Sequence, residues 1–533
     1  MKNNWKKWVA LSGAAVMACA LFAGCGGRGN TTDPIEVADE LKECVVRLAL
    51  PTNTDPYDWE YVQDEINLAL EEDHKPYTVS LEFLDETDYA KNILLFATDG
   101  YDLAWFHSDE LPGAVQANAL REAGPYLEKY GKTLLENTPQ YAWDCATVDG
   151  KIYTIPRSMP VSDNHYFGAA RKDWMEEFGT DTDGDGTISS LQELDNYFLQ
   201  TFIKFEDLED SSGYYVHDAS NHYDFLYREY CPSYYFPLVE WATKPVYIDL
   251  NAENGKYEVK NFFESDAFVE ICEKTNFYYT QNYISQDQLS GSENYFNAGL
   301  LGSTWSTLFK TSERIDHFKE TISVIAPDAD IAEIYLNPDD TRYIVQGFEN
   351  SLGLLAGGQN PNEAVDFLNW VRSSQENHDL VCYGVEGRNY ELTEDGRLDF
   401  SNIDPEMRFA TYMPYWCFND IRFARYSKYL SDEYVENLKN WDKTEEEGGV
   451  VVVSDLVGFA PDMRNSELAT AYKNVNAAAG ESVTNLIDGK YSLSETIDGV
   501  TRYQKLLSDV ETAGMQTLID ELQAQLDEFL AQI

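Results

Sequence analysis

A short acidic segment has the residue types and spacing of a calcium-binding loop. Residues 181–189 read Asp-Thr-Asp-Gly-Asp-Gly-Thr-Ile-Ser. They match the first nine positions of an EF-hand loop, with carboxylates at 1, 3 and 5 and glycine at 6. Position 12 is Gln192, and the first acid after it is Glu193. Three neighbouring carboxylates repel one another without a cation, so the pattern favours structural Ca²⁺ over a solvated turn. The expected ligands are Asp181, Asp183, Asp185, Thr187, Gln192 and Glu193.

Aromatic and acidic side chains also gather where a short apolar run ends. Residues 101–106, Tyr-Asp-Leu-Ala-Trp-Phe, predict a buried strand that passes into the polar turn 107–109. In open α/β sheets, ligands bind at the carboxyl ends of such strands. Trp105, Phe106 and Asp109 are therefore candidate ligand contacts.

The elements that would position these residues alternate between strands and helices. A strand at 44–50, a helix at 59–71 and a strand at 77–83 precede the run at 101–106. This order predicts a βαβ unit, a parallel sheet and an α/β fold. Farther along, residues 360–363 predict a helix start, with Asn360 as the cap and Glu363 in the capping-box position.

The first 25 residues have the pattern of an export signal. Three lysines precede an uncharged, mostly apolar run from Trp8 to Gly24, which is too short for a stable membrane span. The closing sequence Leu-Phe-Ala-Gly-Cys resembles the lipobox of bacterial lipoproteins, although Phe22 stands where leucine is usual. The resemblance implies that residues 1–24 are removed and that Cys25 is lipidated. Residues 25–40 then form a flexible tether.

The composition excludes several classes of function. Without residues 1–24 the chain keeps 36 Lys or Arg and 93 Asp or Glu, a net charge of −57. Such a surface repels nucleic acid and anionic headgroups and favours a soluble monomer. Hydrophobic residues make up 43% of the chain, which is enough for large cores. The cysteines and histidines are scattered, without zinc-ligand spacing, and predict no particular disulfide.

Six segments in order resemble extracellular solute-binding proteins of bacterial ABC importers, family 1, especially the large lipoproteins that capture oligosaccharides. The resemblance covers nearly the whole mature chain. The segments are YDLAW at 101–105, DGKIYTIP at 149–156, ARKDWMEEFG at 170–179, QNPNEAVDFLNW at 359–370, YGVEGRNY at 383–390 and ELQAQLDEF at 521–529.

This resemblance implies a periplasmic-binding-protein-like fold, in which two α/β lobes are joined by hinge crossovers and a ligand cleft lies between them. The first lobe would hold residues 41–157 and about 324–372. The second would hold about 158–323 and 373–533. It implies no catalytic residues, no organic cofactor and delivery of the ligand to the membrane subunits of a permease, outside the cytoplasm.

The resemblance also implies roles for particular residues. Trp105, Phe106 and Asp109 would stack on a sugar and bind its hydroxyls, since sugar rings present apolar C–H faces to aromatic rings. Tyr153, Arg157 and Ser158 would line the cleft floor, with Arg157 equally suited to a structural ion pair. Additional aromatic contacts would come from Trp305 and Trp416, and a longer glycan could reach Tyr234, Tyr235 and Trp241.

Two other functions remain open from the sequence. A surface-anchored glycoside hydrolase needs only a pair of carboxylates, and 93 acids make such a pair easy to assemble. The same fold could also bind peptides or another solute. The sequence does not identify the sugar, its linkage or its length.

Overall fold

The structure of the protein is a computed structural model. It describes residues 35, 37–52, 56–162, 168–208, 214–217, 224–231, 235–237, 245–250, 256–284, 292–305, 312–409, 417–463 and 465–532. Up to residue 159 the elements are β1 (Val45–Thr52), α1 (Trp59–Glu72), β2 (Thr78–Asp85), α2 (Glu86–Asn92), β3 (Leu103–His107), α3 (Leu111–Gln116), α4 (Gly124–Tyr130), α5 (Lys132–Asn137), α6 (Gln140–Cys145), β4 (Thr147–Val148), β5 (Lys151–Ile152) and β6 (Thr154–Pro156).

The middle of the chain mixes helices with short strands. These elements are β7 (Gly168–Arg171), α7 (Lys172–Phe178), α8 (Leu191–Glu206), β8 (Tyr215–His217), α9 (Asp224–Tyr230), β9 (Tyr235–Pro237), β10 (Val246–Asp249), β11 (Glu258–Asn261), α10 (Asp266–Thr280), α11 (Ser292–Asn297), β12 (Leu301–Trp305), α12 (Ser312–Ile322), β13 (Ile331–Ile334) and β14 (Arg342–Ile344).

The last third of the chain is mainly helical. Its elements are β15 (Asn350–Leu354), α13 (Pro361–Val371), α14 (Gln375–Tyr383), β16 (Glu391–Leu392), β17 (Leu398–Asp399), α15 (Asp432–Lys439), β18 (Val451–Val453), α16 (Ser466–Ile487), β19 (Thr496–Ile497), β20 (Val500–Thr501), α17 (Arg502–Ala513) and α18 (Met515–Leu530).

The chain divides into two compact units. Unit 1 comprises Met1–Met159, Gln346–Asp395 and Asp399–Ala424, and unit 2 comprises the remainder. This division differs from the predicted lobes at two places. Residues 324–345 belong to unit 2, because β13 pairs antiparallel with β7 in the unit 2 sheet. Most of 373–424 belongs to unit 1, where α14 packs on α1 and α13.

Unit 1 is built on a five-stranded sheet with the order β2-β1-β3-β15-β6. The strands β1, β2 and β3 are parallel, and β15 is antiparallel to both β3 and β6. The predicted βαβ unit is therefore correct. Its helix α1 buries Val62, Ile66 and Leu70, which share one face at a spacing of four residues.

The start of α13 shows where a local prediction was wrong. The helix begins at Pro361 as expected, but Asn360 makes no side-chain cap. Its Nδ2 instead donates to Val45 O at 3.0 Å and to Asp102 Oδ2 at 3.1 Å. Glu363 likewise accepts from Lys42 N at 2.9 Å instead of closing a capping box. Strand β1 and the residue before β3 therefore take the polar groups that the local motif would have used.

Unit 2 contains a four-stranded sheet, ordered β13-β7-β12-β8, and a three-stranded antiparallel sheet, ordered β11-β10-β9. The C-terminal helices α16, α17 and α18 pack against one another, and α18 also packs on β11. The last helix, α18, packs through an apolar stripe, because Leu518, Leu522 and Leu526 are fully buried. Each such leucine contributes about 1.5–3 kcal/mol through burial.

Candidate functional site

One edge of the unit 1 sheet collects the ends of all five strands. The parallel strands β1, β2 and β3 end there at Thr52, Asp85 and His107. Strand β15 begins there, since Asn350 pairs with His107, and β6 ends beside it because Ser351 pairs with Pro156. We call this set the carboxyl edge. It comprises Thr52, Asp85, His107–Glu110, Arg157–Ser158 and Glu349–Asn350.

The strand order places a topological switch point at this edge. Strand β2 lies on one side of β1, and β3 lies on the other, so the chain leaves β1 and β3 in opposite directions. Ligands of open α/β sheets bind outside the strand ends at such a point. The prediction that residues after β3 lie at a ligand-binding edge is consistent with this topology.

Trp105 and Phe106 contribute differently because neighbouring residues of a strand face opposite sides of the sheet. The Trp105 Nε1 donates to Asn350 Oδ1 at 3.0 Å, and its ring lies 6.0 Å from Tyr89, which leaves 9% of the residue exposed. Phe106 is fully buried, and a Cβ on Gly353 would come within 2.9 Å of its ring. Phe106 is therefore a core residue, contrary to the prediction that it contacts ligand.

The turn after β3 is held by its own polar side chains. His107 Nδ1 lies 2.6 Å from Asp109 Oδ1, and Glu110 Oε2 accepts from His107 N at 3.0 Å. Ser108 N donates to Glu349 O at 2.9 Å, which ties the turn to the start of β15. Asp109 is exposed, as a residue that binds sugar hydroxyls requires.

The two acids of this turn have opposite pKa shifts. Partial desolvation raises the pKa of Asp109, but the hydrogen bond and charge of His107 outweigh it, so the net pKa is lowered. Desolvation dominates at Glu110 and raises its pKa to about 7, although the His107 backbone N–H opposes the shift. Near neutral pH the edge therefore holds one carboxylate that is firmly ionised and one that titrates.

Arg157 and Ser158 lie at the carboxyl edge, and both are buried. Arg157 Nη2 is 3.4 Å from Glu349 Oε2 in an ion pair whose two side chains are largely shielded from solvent. Ser158 forms backbone hydrogen bonds with Asn419 and Ile421. Arg157 therefore has the structural ion pair that the sequence left open.

Tyr153 does not join the other residues of the edge. It precedes β6, whereas Arg157 follows β6, so the two lie at opposite ends of a three-residue strand. Four residues of extended chain correspond to roughly 13 Å. That the two residues line one cleft floor stays a prediction.

The residues of the edge that were missed from the sequence include Asp85, Glu349 and Asn350. Glu349 and Asn350 come more than 240 residues after His107 and reach it only through the β3–β15 pairing. Asp85 ends β2 and caps α2, with Oδ1 accepting from Thr87 N at 3.0 Å and Asp88 N at 3.3 Å. The end of the predicted strand at 77–83, two residues before Asp85, was the available signal for this carboxylate.

The aromatic candidates of unit 2 are only partly described. Trp305 is the last residue of β12, where its backbone pairs with Gly168. Its side chain lies outside the described residues, as do Trp416, Tyr234, Trp241 and Cys25. Tyr235 is described and stacks on Tyr247 at 4.1 Å between ring centroids. These residues therefore stay predictions as ligand contacts.

The acidic loop of unit 2 folds its carboxylates inward onto its own backbone. Asp181 accepts from Gly184 N at 2.7 Å and from Gly186 N at 3.1 Å. Both glycines have φ near +80°, in the left-handed region that glycine enters without strain. Asp185 Oδ1 accepts from Thr187 N at 2.7 Å and from its hydroxyl at 2.8 Å.

Three carboxylates of this loop converge tightly enough for one cation. Oxygens of Asp181, Asp183 and Glu193 lie within 4.8 Å of one another. Glu193, only 1% exposed, accepts from Thr182 N at 2.8 Å and Ser189 N at 3.2 Å. Burial raises its pKa, but these hydrogen bonds reverse the effect and the net pKa is lowered. Such a set of ionised oxygens suits Ca²⁺.

The other expected metal ligands are arranged differently. Gln192, at the EF-hand position 12, is exposed, and Glu193 one residue later is the acid that turns inward. Asp185 lies in the loop but outside the converging group of carboxylates, and Thr187 stays a prediction as a ligand. The inward-facing carboxylate is therefore that of Glu193, one residue after position 12 of the EF-hand template.

Each unit combines helices with β-sheets, and comparison with solved structures confirms the predicted periplasmic-binding-protein-like fold. The chain is similar to an N-glycan transport solute-binding protein, NgtS, from Streptococcus pneumoniae, with a TM-score of 0.68 and 18% identity over 91% of this chain and 99% of that one. It is also similar to the alginate-binding protein AlgQ2, with a TM-score of 0.58 and 16% identity over 91% and 98%.

The sequence itself is similar to a curated carbohydrate ABC transporter substrate-binding protein of Streptococcus pneumoniae serotype 4 (strain ATCC BAA-334 / TIGR4). The two are 23% identical over 536 residues, which cover 99% of each chain. No protein-family model matches this chain. The resemblance to solute-binding proteins of ABC importers is thereby confirmed. Among the described residues, no helix is long and apolar enough to cross a lipid bilayer.

Proposed function

We propose that this protein captures an oligosaccharide outside the cytoplasm and delivers it to the membrane subunits of an ABC importer. The observation that carries the proposal is the end-to-end similarity to a carbohydrate ABC transporter substrate-binding protein, which spans 99% of both chains. The fold agrees, because the structural similarity to NgtS also spans nearly the whole of both chains. Because the alignments cover nearly the whole of both chains, no long insertion or missing domain suggests a different role for this chain.

The choice of a carbohydrate rests on the chemistry of the carboxyl edge. Asp109 and Asp85 present exposed oxygens that accept hydrogen bonds from hydroxyl groups. The ring of Trp105, a residue that is only 9% exposed, lies on the same face of β3 as His107, with 6.4 Å between the ring centroids. Structures of NgtS in complex with Man1GlcNAc and Man5GlcNAc have TM-scores of 0.63 and 0.59 to this chain.

We further propose that the ligand leaves chemically unaltered. A glycoside hydrolase needs one carboxylate that attacks or activates water and a second that donates a proton. At the carboxyl edge the Asp109 carboxylate pairs with His107, and Glu110 accepts from the backbone of His107. Both acids therefore already stabilise the turn. The similar proteins are described as binding proteins, which supports the same conclusion.

We also propose that the protein is a lipid-anchored monomer. Cys25 would carry the lipid after removal of residues 1–24, and residues 25–40 would tether a monomer to the membrane. Intact-mass spectrometry of the mature protein tests this: a diacylated Cys25 N-terminus is expected in the wild type. Replacement Cys25→Ser should release the protein from the membrane fraction, and continued retention would contradict the lipid anchor.

We propose that the loop of unit 2 holds structural Ca²⁺ through Asp181, Asp183 and Glu193. The support is their convergence and the ionised state favoured at Glu193. The loop also braces the unit 2 sheet, because Ile188 N donates to Glu333 O at 2.8 Å and Tyr335 N to Ile188 O at 3.1 Å. The ion would stabilise unit 2 without contacting the ligand.

A thermal-shift screen of the mature protein tests the proposed function directly. Neutral oligosaccharides, peptides and chromogenic glycosides form the three arms, and calorimetry confirms each hit. An oligosaccharide that raises the unfolding temperature and binds with one-to-one stoichiometry is the expected result. Peptide binding without glycan binding would replace the carbohydrate assignment, and turnover of a glycoside would replace binding by hydrolysis.

A further inference from the structure

The helix α13 is followed by Arg372, a buried arginine that no carboxylate matches. Only 4% of the residue is exposed. Its Nη2 donates to Pro156 O at 2.8 Å, at the end of β6, whereas its Nη1 is buried without a hydrogen-bond partner. No ion pair joins Arg372 to an acid in the part of the chain that the structure describes. The guanidinium therefore offers a free N–H group inside unit 1.

The charges around Arg372 do not replace the water that its guanidinium has lost. Burial is the largest cause that lowers the pKa of Arg372, and the positive charges of Arg422 and Arg157 lower it further. The carboxylate of Asp420 acts in the opposite direction, yet the net pKa stays below the ordinary value. Arginine nevertheless remains protonated in proteins, so the cation persists. A buried charge of this kind destabilises the fold unless an opposite charge compensates it.

The two carboxylates beside these arginines are already paired. Asp420 accepts from Arg422 Nε at 2.9 Å and from its Nη2 at 2.8 Å. Glu349 Oε2 lies 3.4 Å from Arg157 Nη2. Arg422 Nη2 also donates to Arg372 O at 3.1 Å, which brings a second cation to the end of α13. The two acids thus match two of the three guanidinium groups, and Arg372 is the one without an ion pair.

Three buried polar side chains of α14 do not match the cation either. His378 Nε2 accepts from Asp420 N at 3.2 Å, so this nitrogen carries no proton and the ring is neutral. Burial raises the pKa of the Cys382 thiol well above its ordinary value, so the thiol is neutral as well. Asp379 lies 3.6 Å from His378 Nδ1 and forms no ion pair with Arg372.

We propose that Arg372 Nη1 binds a small monovalent anion, of the size of chloride, in the interior of unit 1. The anion would accept from the unpartnered N–H group and supply the missing negative charge. A water molecule could satisfy the N–H group but would leave the charge uncompensated. Because Arg372 Nη2 already holds Pro156 O, the ion would also stabilise the end of β6, where the chain enters the carboxyl edge.

Anion exchange at constant ionic strength tests the site on the mature wild-type protein. Sodium chloride replaces sodium gluconate, whose anion is too large for an interior site, from zero to about 0.3 M, so that screening stays constant. For a Kd of about 10 mM, linkage predicts that the unfolding midpoint rises by about 2–4 °C in chloride. Bromide should give the same rise. Equal midpoints in chloride and gluconate would overturn the proposal.

Bromide also locates the ion directly, because it scatters X-rays anomalously. Crystals of the wild-type protein soaked in about 0.3 M NaBr should show an anomalous peak within about 3.5 Å of Arg372 Nη1. An ordered water without anomalous signal at that place contradicts the proposal, and so do bromide peaks confined to the protein surface. This measurement decides the question even if substitutions of Arg372 prevent folding.

Two substitutions assign the chloride response to a particular side chain. Arg372→Met keeps an unbranched side chain but removes the cation, and it should abolish the chloride-dependent rise of the midpoint. Arg47→Met is the matched control, because Arg47 pairs with Glu82 at 2.7 Å, and this variant should retain the full rise. A rise that persists in Arg372→Met would place the anion elsewhere and overturn the assignment. None of these measurements uses a glycan, so their outcome is independent of the proposed function.

Discussion

Two glutamates in different units show how the same side chain can have opposite pKa shifts. Glu193, in the acidic loop of unit 2, accepts hydrogen bonds from the backbone and hydroxyl groups of Thr182 and Ser189, and its pKa is lowered. Glu110, at the carboxyl edge of unit 1, accepts from His107 N and lies near Asp109, and its pKa rises to about 7. Desolvation raises the pKa of both glutamates, but only at Glu193 do the hydrogen bonds outweigh it.

The comparison extends to the two regions as wholes. The carboxylates of the loop accept hydrogen bonds from groups within 12 residues of sequence, whereas the edge depends on β15, which arrives from more than 240 residues away. Single polar substitutions should therefore lower the stability of the loop. The stability of the edge, which strand pairing assembles, should fall most when the packed ring of Trp105 is removed. Substitutions in each region test this difference. The first of them should destabilise the protein most.

Replacement of Trp105 by alanine should have the largest effect. The substitution removes a ring packed on Tyr89 and the hydrogen bond to Asn350, so the free energy of unfolding should fall by about 3–5 kcal/mol. Denaturant titration of the ligand-free protein measures it. Trp105→Phe is the matched variant and should lose less, since it keeps most of the ring. A stability change below about 1 kcal/mol, with strongly reduced glycan affinity, would instead make Trp105 a ligand-stacking residue.

Glu193→Ala should cost about 2–3 kcal/mol, because it leaves the buried donors of Ser189 and the N–H of Thr182 without their acceptor. The unfolding free energy in the presence of a chelator isolates this effect from any bound ion. Gln192→Ala, at the exposed neighbouring position, should change stability by less than about 0.5 kcal/mol. Similar losses for the two variants would mean that Glu193 does not organise the loop.

Calcium should raise the unfolding midpoint of the wild-type protein. At a free Ca²⁺ concentration ten times the Kd, linkage predicts about 1.4 kcal/mol of added stability. Asp183→Asn should abolish the shift, because it removes a charged oxygen from the converging group. Magnesium at the same concentration is the control ion. An unchanged midpoint up to millimolar Ca²⁺ would leave the loop as a solvated acidic turn.

The two glutamates should give pH dependences of opposite sign. Because the folded pKa of Glu110 is raised to about 7 from 4.5, its contribution to stability is lost as the pH rises between these values. Glu110→Gln keeps an acceptor for His107 N and should remove this loss, leaving the variant about 1 kcal/mol more stable than wild type at pH 8. The pKa of Glu193 is lowered, so its contribution is lost as the pH falls below 4.5. Unfolding curves at pH 4, 6 and 8 measure both slopes, and equal slopes for wild type and Glu110→Gln would contradict the assignment.

The sequence predicted the features formed by neighbouring residues and missed the contacts that strand pairing creates between distant residues. The acidic loop was recognisable because its ligands and glycines are contiguous, although the EF-hand template pointed to Gln192 instead of Glu193. The strand that carries Trp105 was predicted from its apolar run, but its alternation implies that Phe106 faces the core. Asn360 failed as a helix cap because Asp102 and Val45, brought close by folding, offered it other partners. The assignment of 324–345 failed for a similar reason, since the pairing of β13 with β7 has no local signal.

The six described cysteines of the mature domain are all thiols, with no disulfide among them, which affects how the protein can be studied. Cys272, Cys382 and Cys417 are buried, and burial raises the pKa of each, so very little reactive thiolate is present at neutral pH. Burial also raises the pKa of Cys44, to about 11. A cysteine introduced on the surface of each unit would therefore react with a maleimide dye well before these four. Fluorescence energy transfer between the two dyes could then follow ligand-dependent movement with these native residues left in place.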